Sequence, residues 1–183
     1  MRDQARPVEP ECLWLEDEGA VPNHPELPVL LYRQVLDPLR GDCAAAFARL
    51  FRHHGWGGVW HDGIFSFLHY HSTAHEVLGI ARGRARLALG GPRGVLVEVA
   101  AGDALVLPAG TGHRRIDASP DLHVVGAYPP GQSWDLLRGR PGERMRALAN
   151  IARVPLPQTD PLFGKSGPLL RLWARSGKGE SAG

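Results

Sequence analysis

The chain has 183 residues, enough for one buried core with terminal extensions rather than a string of domains. Its 21 Lys and Arg nearly balance 19 Asp and Glu, and the basic residues are interspersed with acidic ones, so no charged block marks a nucleic-acid-binding arm. Cys12 and Cys43 lie in unrelated segments, which argues against a disulfide framework and fits a reducing cytoplasm. The N-terminus lacks the apolar run of a signal peptide, and no stretch approaches the roughly 20 apolar residues that span a bilayer.

In chain order, residues 1–11 are charged and contain prolines, predicting a loose or extended end. Cys12–Trp14 fits an edge strand. Pro22, Pro25 and Pro28 hold the backbone extended up to a strand over 29–35, which could pair with an outer sheet or with its copy in a second subunit. The clearest helix spans 42–54. Asp42 is placed to cap it, Ala44, Phe47, Leu50, Phe51 and His54 fall on one face, and Gly55 offers the stop. The segment GWGGVWHDG reads as a mouth loop, in which Trp56 and Trp60 either line a ligand site or pack the helix against a sheet.

From Ile64 to Tyr128 short apolar runs alternate with turns, predicting strands over 64–71, 76–82, 85–89, 94–99, 104–108, 113–117 and 122–128. Hairpin turns fall at Gly90-Gly91 and Gly102-Asp103. Short strands with Gly-rich turns give an all-β core, a sandwich or a barrel. Beyond Tyr128 the PPGQSWDLL segment leaves the barrel. A second helix is predicted over 141–152, with Pro141 at its first position and Met145, Leu148 and Ile151 along one side. The proline-rich remainder wraps the outside, Leu169, Leu170, Leu172 and Trp173 dock as a strand or short packing segment, and residues from Ser176 are expected to be disordered. The expected organisation is one domain over 1–183, with a barrel core at about 60–128 and flanks at 1–59 and 129–183.

His69 and His71 are two apart, so on a strand both project to one side. Ser72-Thr73-Ala74 can turn the chain and bring Glu76 back to the same pocket, and the turn at Pro108, Gly110 and Gly112 presents His113 from the opposite wall. Three imidazoles and a carboxylate make a set that suits a divalent transition metal: Fe, Mn, Ni, Co, Cu or Zn. Phe65 and Phe67 share the parity of the two histidines and predict an apolar wall beside them.

The same residues fill the two motifs of the cupin superfamily. Gly63, His69, His71, Glu76 and Gly83 occupy every position of the first without a gap, and Gly102, Pro108, Gly110 and His113 occupy the second, with Asp117 in place of the usual closing Asn. On these residues the chain resembles the cupins. Its flanks (VPNHPELPVLLY, GWGG, VVGAYPPGQSWDLL and VPLPQTDPLFG) resemble a small bacterial branch of unassigned reaction. The resemblance implies a double-stranded β-helix, the small jelly-roll barrel, with flanking helices, and a metal at His69, His71, Glu76 and His113. It also implies frequent pairing of barrels into homodimers, which the apolar VLLY strand could serve.

Other residues leave alternatives open. His75 could replace His69 as a ligand or stand at the pocket rim, and His123 could face the pocket or solvent. His53, His54 and His61 read as surface or capping residues. Arg82, Arg84 and Arg86 form a cationic row that Gly83 breaks, giving a solvated outer face. Tyr70 and Tyr128 could supply a phenol, but Tyr70 has the wrong parity to share the histidines' pocket. The expected function is that of a metal-binding protein acting on a small molecule, as an enzyme of dioxygenase or isomerase/lyase type. The alternatives are a binding or sensing module that uses the same pocket without catalysis, and a structural role with an empty barrel.

Overall fold

The computed structural model describes residues 5–174. In chain order the elements are β1 (Glu11–Leu13), β2 (Val29–Tyr32), α1 (Cys43–His53), β3 (Gly57–Asp62), β4 (Glu76–Arg82), β5 (Arg84–Leu89), β6 (Val95–Ala100), β7 (Ala104–Leu107), β8 (His113–Ala118), β9 (His123–Tyr128), α2 (Glu143–Ile151) and α3 (Pro168–Ala174). A six-stranded sheet in the order β1-β2-β7-β4-β9-β3 packs over a three-stranded sheet in the order β6-β5-β8, and every pairing is antiparallel. This is an all-β core, the double-stranded β-helix, with α1 and α3 on the outer face of the large sheet and α2 in a separate cluster with Val21, Tyr70, Ala109 and Leu137.

Alternation along the large sheet explains the layers. Leu30, Tyr32, Val77, Val106, Val125 and Ala127 face α1 and α3, where they meet Phe47, Phe51, Trp56 and Trp173. Their neighbours Val29, Leu31, Leu78, Ile80, Leu105 and Val124 face inward and meet Leu87, Leu89, Val97 and Val99 of the small sheet. Burial on both faces is why β2 and β7 read as unbroken apolar runs. In β5 the buried residues Ala85, Leu87 and Leu89 alternate with outward-facing ones, because only one face of the small sheet is covered.

Asp42 caps α1 as expected, accepting from the backbone N–H of Ala44 at 2.9 Å and Ala45 at 3.3 Å. The helix lies so close to β4 that a Cβ on Gly79 would stand 2.6 Å from the Phe47 ring. Gly83, at φ 73°, ends β4 and starts β5, and Arg84 and Arg86 beyond it face solvent.

Several expectations are corrected. Residues 64–68 form no strand; His69 and Tyr70 make only isolated bridges, to His113 and Leu137. The mouth loop is largely β3, an edge strand on β9. The 29–35 strand stops at Tyr32, because Gln34 turns the chain at φ 47°. It lies between β1 and β7 of its own chain, so the edge expected to serve a homodimer is already paired. Residues 5–10 are not loose: Ala5 and Val8 pack on the helix-side core and the Arg6 N–H bonds Val35. The second helix begins at Glu143, two residues after Pro141, and buries Ala147 and Ile151 while Met145 faces out. Leu169 and Trp173 do dock, but on a helix. The expectation for Ser176 onward lies outside the described residues. Among the described residues no helix is long and apolar enough to cross a membrane.

Candidate metal centre

The segment 69–71 is held between two neighbours. His69 and His113 exchange backbone hydrogen bonds at 3.2 and 2.9 Å, the Gly110 N–H bonds the His71 carbonyl at 2.7 Å, and Tyr70 exchanges both backbone bonds with Leu137. The extended backbone sends His69 and His71 to one side, and Tyr70 to the other, among Val21, Ala109, Leu137 and Ile151. Glu76 opens β4 with the inward parity of Leu78 and Ile80, and His113 opens β8. The tight turn before His113 depends on glycine: Gly110 has φ 91°, and a Cβ on Gly112 would stand 2.4 Å from the Gly90 carbonyl oxygen. All four side chains predicted as ligands are therefore brought together, and all are buried.

Their orientation is fixed by hydrogen bonds that only one tautomer can make. His69 Nδ1–H donates to the Phe67 carbonyl at 3.0 Å, His113 Nδ1–H to the Thr111 carbonyl at 2.9 Å, and His71 Nδ1–H to the Asp135 carbonyl. A carbonyl oxygen can only accept, so each Nδ1 carries hydrogen and each neutral ring presents its Nε2 lone pair inward. The ligand atoms of the three histidines lie within 4.8 Å of one another. Glu76 Oε2 stands 3.3 Å from His71 Nε2 and 3.5 Å from His113 Nε2. Its other oxygen, Oε1, accepts from the Tyr128 hydroxyl at 3.1 Å, but Oε2 accepts no hydrogen bond among the described residues.

A buried carboxylate oxygen aimed at imidazole lone pairs is repelled unless a cation stands between them. Two ligands at about 2.1 Å from a shared ion lie roughly 3–4 Å apart, which is the spacing around Glu76. The donor set thus fits a divalent transition metal. Protonation answers the same field in part. Burial opposes a charge on His71, but the facing Glu76 carboxylate outweighs it and leaves the His71 pKa raised. Burial opposes the Glu76 charge too, and His71, His113 and the Tyr128 hydroxyl outweigh it, so its pKa is lowered. For His113, burial and then the neighbouring His69 push the pKa down to about 3; His69 is lowered chiefly by burial.

A cavity of about 590 Å³ opens over the four side chains. Its other walls include Trp60, Phe65, Phe67, Arg115, Tyr128 and Trp134. The predicted apolar wall of Phe65 and Phe67 is present, carried by a loop rather than a strand. The two tryptophans divide: Trp60 lines the cavity, while Trp56 is a core residue that donates to the Thr159 carbonyl. His75 is neither ligand nor rim. It is buried beside Trp173, accepts from the Ala109 N–H at Nδ1, and is held neutral by burial, with its pKa down at about 3. His123 is not in the cavity wall, but it pairs at 3.1 Å with His61, which is, so His61 is a cavity residue rather than the surface or capping residue expected.

Two contributors were not foreseen. The 129–137 segment does not leave the barrel; it folds back so that the Asp135 carbonyl orients His71 and Trp134 lies edge-on to His71 and stacked with Tyr128. The Asp135 carboxylate locks this return by accepting from the Ser72 N–H at 2.6 Å and the Ser72 hydroxyl at 2.5 Å. A histidine that presents Nε2 to an ion needs a partner for Nδ1, and that requirement was the available signal. Arg115 was foreseeable from its position, two residues beyond His113 on the same strand face.

A two-sheet barrel that brings both motif segments onto one site is the fold that the resemblance to the cupins implied. No family model matches it. The uncharacterized protein YjlB of Bacillus subtilis (strain 168) is 40% identical over 167 residues, spanning 91% of this chain and 98% of YjlB. The chain belongs to the same family as YjlB. Among solved structures, a DUF861-family protein from Thermotoga maritima is 18% identical over 39% of this chain and 75% of its own, with a TM-score of 0.28. Acireductone dioxygenase from Bacillus anthracis, solved with a cadmium ion in its active centre, is 18% identical over 60% of this chain and 78% of its own, with a TM-score of 0.38.

Proposed function

We propose that the chain is a metal-dependent enzyme of the dioxygenase or isomerase/lyase type, in which His69, His71, Glu76 and His113 hold a divalent transition metal and the cavity above them admits a small-molecule substrate. The observation that carries this reading is the clustering of three Nε2 lone pairs, two of which, those of His71 and His113, face a buried Glu76 oxygen that accepts no hydrogen bond among the described residues. When bound, such an ion supplies Lewis acidity or, if redox-active, dioxygen chemistry at positions the protein leaves open.

The cavity lining also holds His61 and Asp62, so groups able to move a proton stand beside the centre, and isomerase or lyase chemistry fits it as well as dioxygen chemistry. The Tyr128 hydroxyl donates to Glu76 and accepts from Trp60 Nε1 at 3.0 Å, and burial raises its pKa, so it is no base near neutral pH. What Tyr128 does is hold the carboxylate in place. Trp60, Phe65 and Trp134 give a substrate an apolar surface beside the centre.

Reconstitution with Co(II) tests the reading. Weak visible absorption, from five- or six-coordinate cobalt, that changes on adding azide is expected of a centre with open positions. Intense tetrahedral absorption indifferent to azide would favour the non-catalytic binding module.

A further inference from the structure

Arg115 is the cation of the cavity wall. It lies two residues beyond His113 on β8, so the two side chains share a face and their backbones are roughly 7 Å apart. Its backbone N–H bonds the Phe65 carbonyl at 2.9 Å, which ties the aromatic wall to the strand. Its guanidinium has no ion pair or hydrogen bond among the described residues, and the other acid near the mouth, Asp62, accepts from the N–H of Gly63. A half-buried guanidinium left without a partner beside apolar walls is a ready partner for an anion, and its planar fork matches a carboxylate.

The walls describe the rest of the ligand. Phe65 and Phe67 stack with centroids 4.7 Å apart, and Arg138 lies 4.0 Å over the Phe67 ring and holds it in place. Phe65 and Trp134 are nevertheless about half exposed, at 52% and 53%, and Trp60 stands over Gly126, where a Cβ would meet its ring at 2.0 Å. Large aromatic faces left open around a cavity are suited to covering a flat apolar body.

We propose that the cavity takes a small carboxylate with a flat apolar body, its carboxylate on Arg115 and its body against Phe65, Phe67, Trp60 and Trp134. This assignment rests on the reading of the adjacent site as a metal centre for the chemistry that follows binding, while the binding itself is carried by Arg115 and the aromatic wall.

The test is a calorimetric titration of the protein with phenylacetate, its neutral analogue phenylacetamide, and acetate. It compares wild type, Arg115→Gln and Arg115→Lys, with metal content measured on every sample. Wild type should bind phenylacetate at least about tenfold more tightly than either comparison ligand. Arg115→Gln should lose the preference over phenylacetamide at unchanged metal content, and Arg115→Lys should keep part of it. Equal binding of phenylacetate and phenylacetamide to wild type, undiminished phenylacetate binding by Arg115→Gln, or no binding at millimolar ligand would each overturn the assignment. EDTA-stripped wild type separates the two readings. A preference that persists there locates it at Arg115, whereas one that vanishes with the ion and survives Arg115→Gln overturns it. Wild type that binds no metal yet keeps the preference would sink the metal reading alone.

Discussion

Glu76→Gln should act in opposite directions on the metal-free and the metal-loaded protein. The substitution keeps an oxygen where Oε1 accepts from Tyr128 at 3.1 Å, and replaces Oε2 with an amide nitrogen facing His71 Nε2 at 3.3 Å and His113 Nε2 at 3.5 Å. In metal-free protein an unsatisfied buried charge becomes a donor in front of lone pairs. An unsatisfied buried group costs about 1–3 kcal/mol, and the proton that His71 can share with Glu76 recovers part of this, so a gain of about 1 kcal/mol is expected. With an ion at about 100 times its Kd, wild type gains about 2.7 kcal/mol. Replacing the anionic ligand should weaken binding by at least ~100-fold, which leaves about 0.4 kcal/mol at the same ion concentration. For a chain of this length that is a metal-induced Tm rise of about 5–10 °C in wild type and about 1–2 °C in the variant. Melts of EDTA-stripped and reloaded protein read both effects. A variant that melts well below wild type when stripped, yet gains as much from metal, would show that Glu76 serves packing and refute the reasoning.

Asp135→Ala removes the acceptors that hold the returning loop to Ser72, so the carbonyl that orients His71 is freed; metal affinity should fall about 10–100-fold in a competition titration with a chelating dye, with the far-UV spectrum unchanged. Gly79→Ala drives a methyl into the Phe47 ring and should cost about 1–3 kcal/mol in urea unfolding, part of it recovered by adding Phe47→Leu. His24 Nδ1 accepts from the N–H groups of Glu26 and Leu27, both at 3.1 Å, and burial lowers its pKa to about 4. The unfolded chain takes a proton below pH ~6.5 where the folded chain does not. Stability is therefore fully present above that pH and falls by about 3 kcal/mol as pH drops through 4, and His24→Asn, which keeps an acceptor, should flatten this dependence in urea melts.

The parts of the molecule that could be read from the sequence are those whose physical cause lies within a few residues. Asp42 and Gly55 bracket α1, and the apolar runs of β4, β7 and β9 follow from burial on both faces. The four convergent side chains followed from local spacing within each motif. The 64–68 segment misled because Ile64, Phe65 and Phe67 alternate as a strand would, whereas Phe65 and Phe67 line the cavity from a loop; hydrophobicity does not distinguish a cavity wall from a core. The Gly57-Gly58 pair disguised β3, whose bulged pairing with β9 tolerates both glycines. The groups that orient the histidines were invisible because they are backbone carbonyls of Phe67, Thr111 and Asp135, and a carbonyl leaves no signature in residue type. Only the fold brings Asp135 to His71, 64 residues away.

The most direct measurement is elemental analysis of untagged protein purified without added metal, with His71→Ala and His113→Ala prepared in parallel. Near-stoichiometric transition metal in wild type, absent from both variants, is the expected result. Wild type that holds no ion even after reconstitution, or variants that hold as much as wild type, would contradict a metal centre at His69, His71, Glu76 and His113.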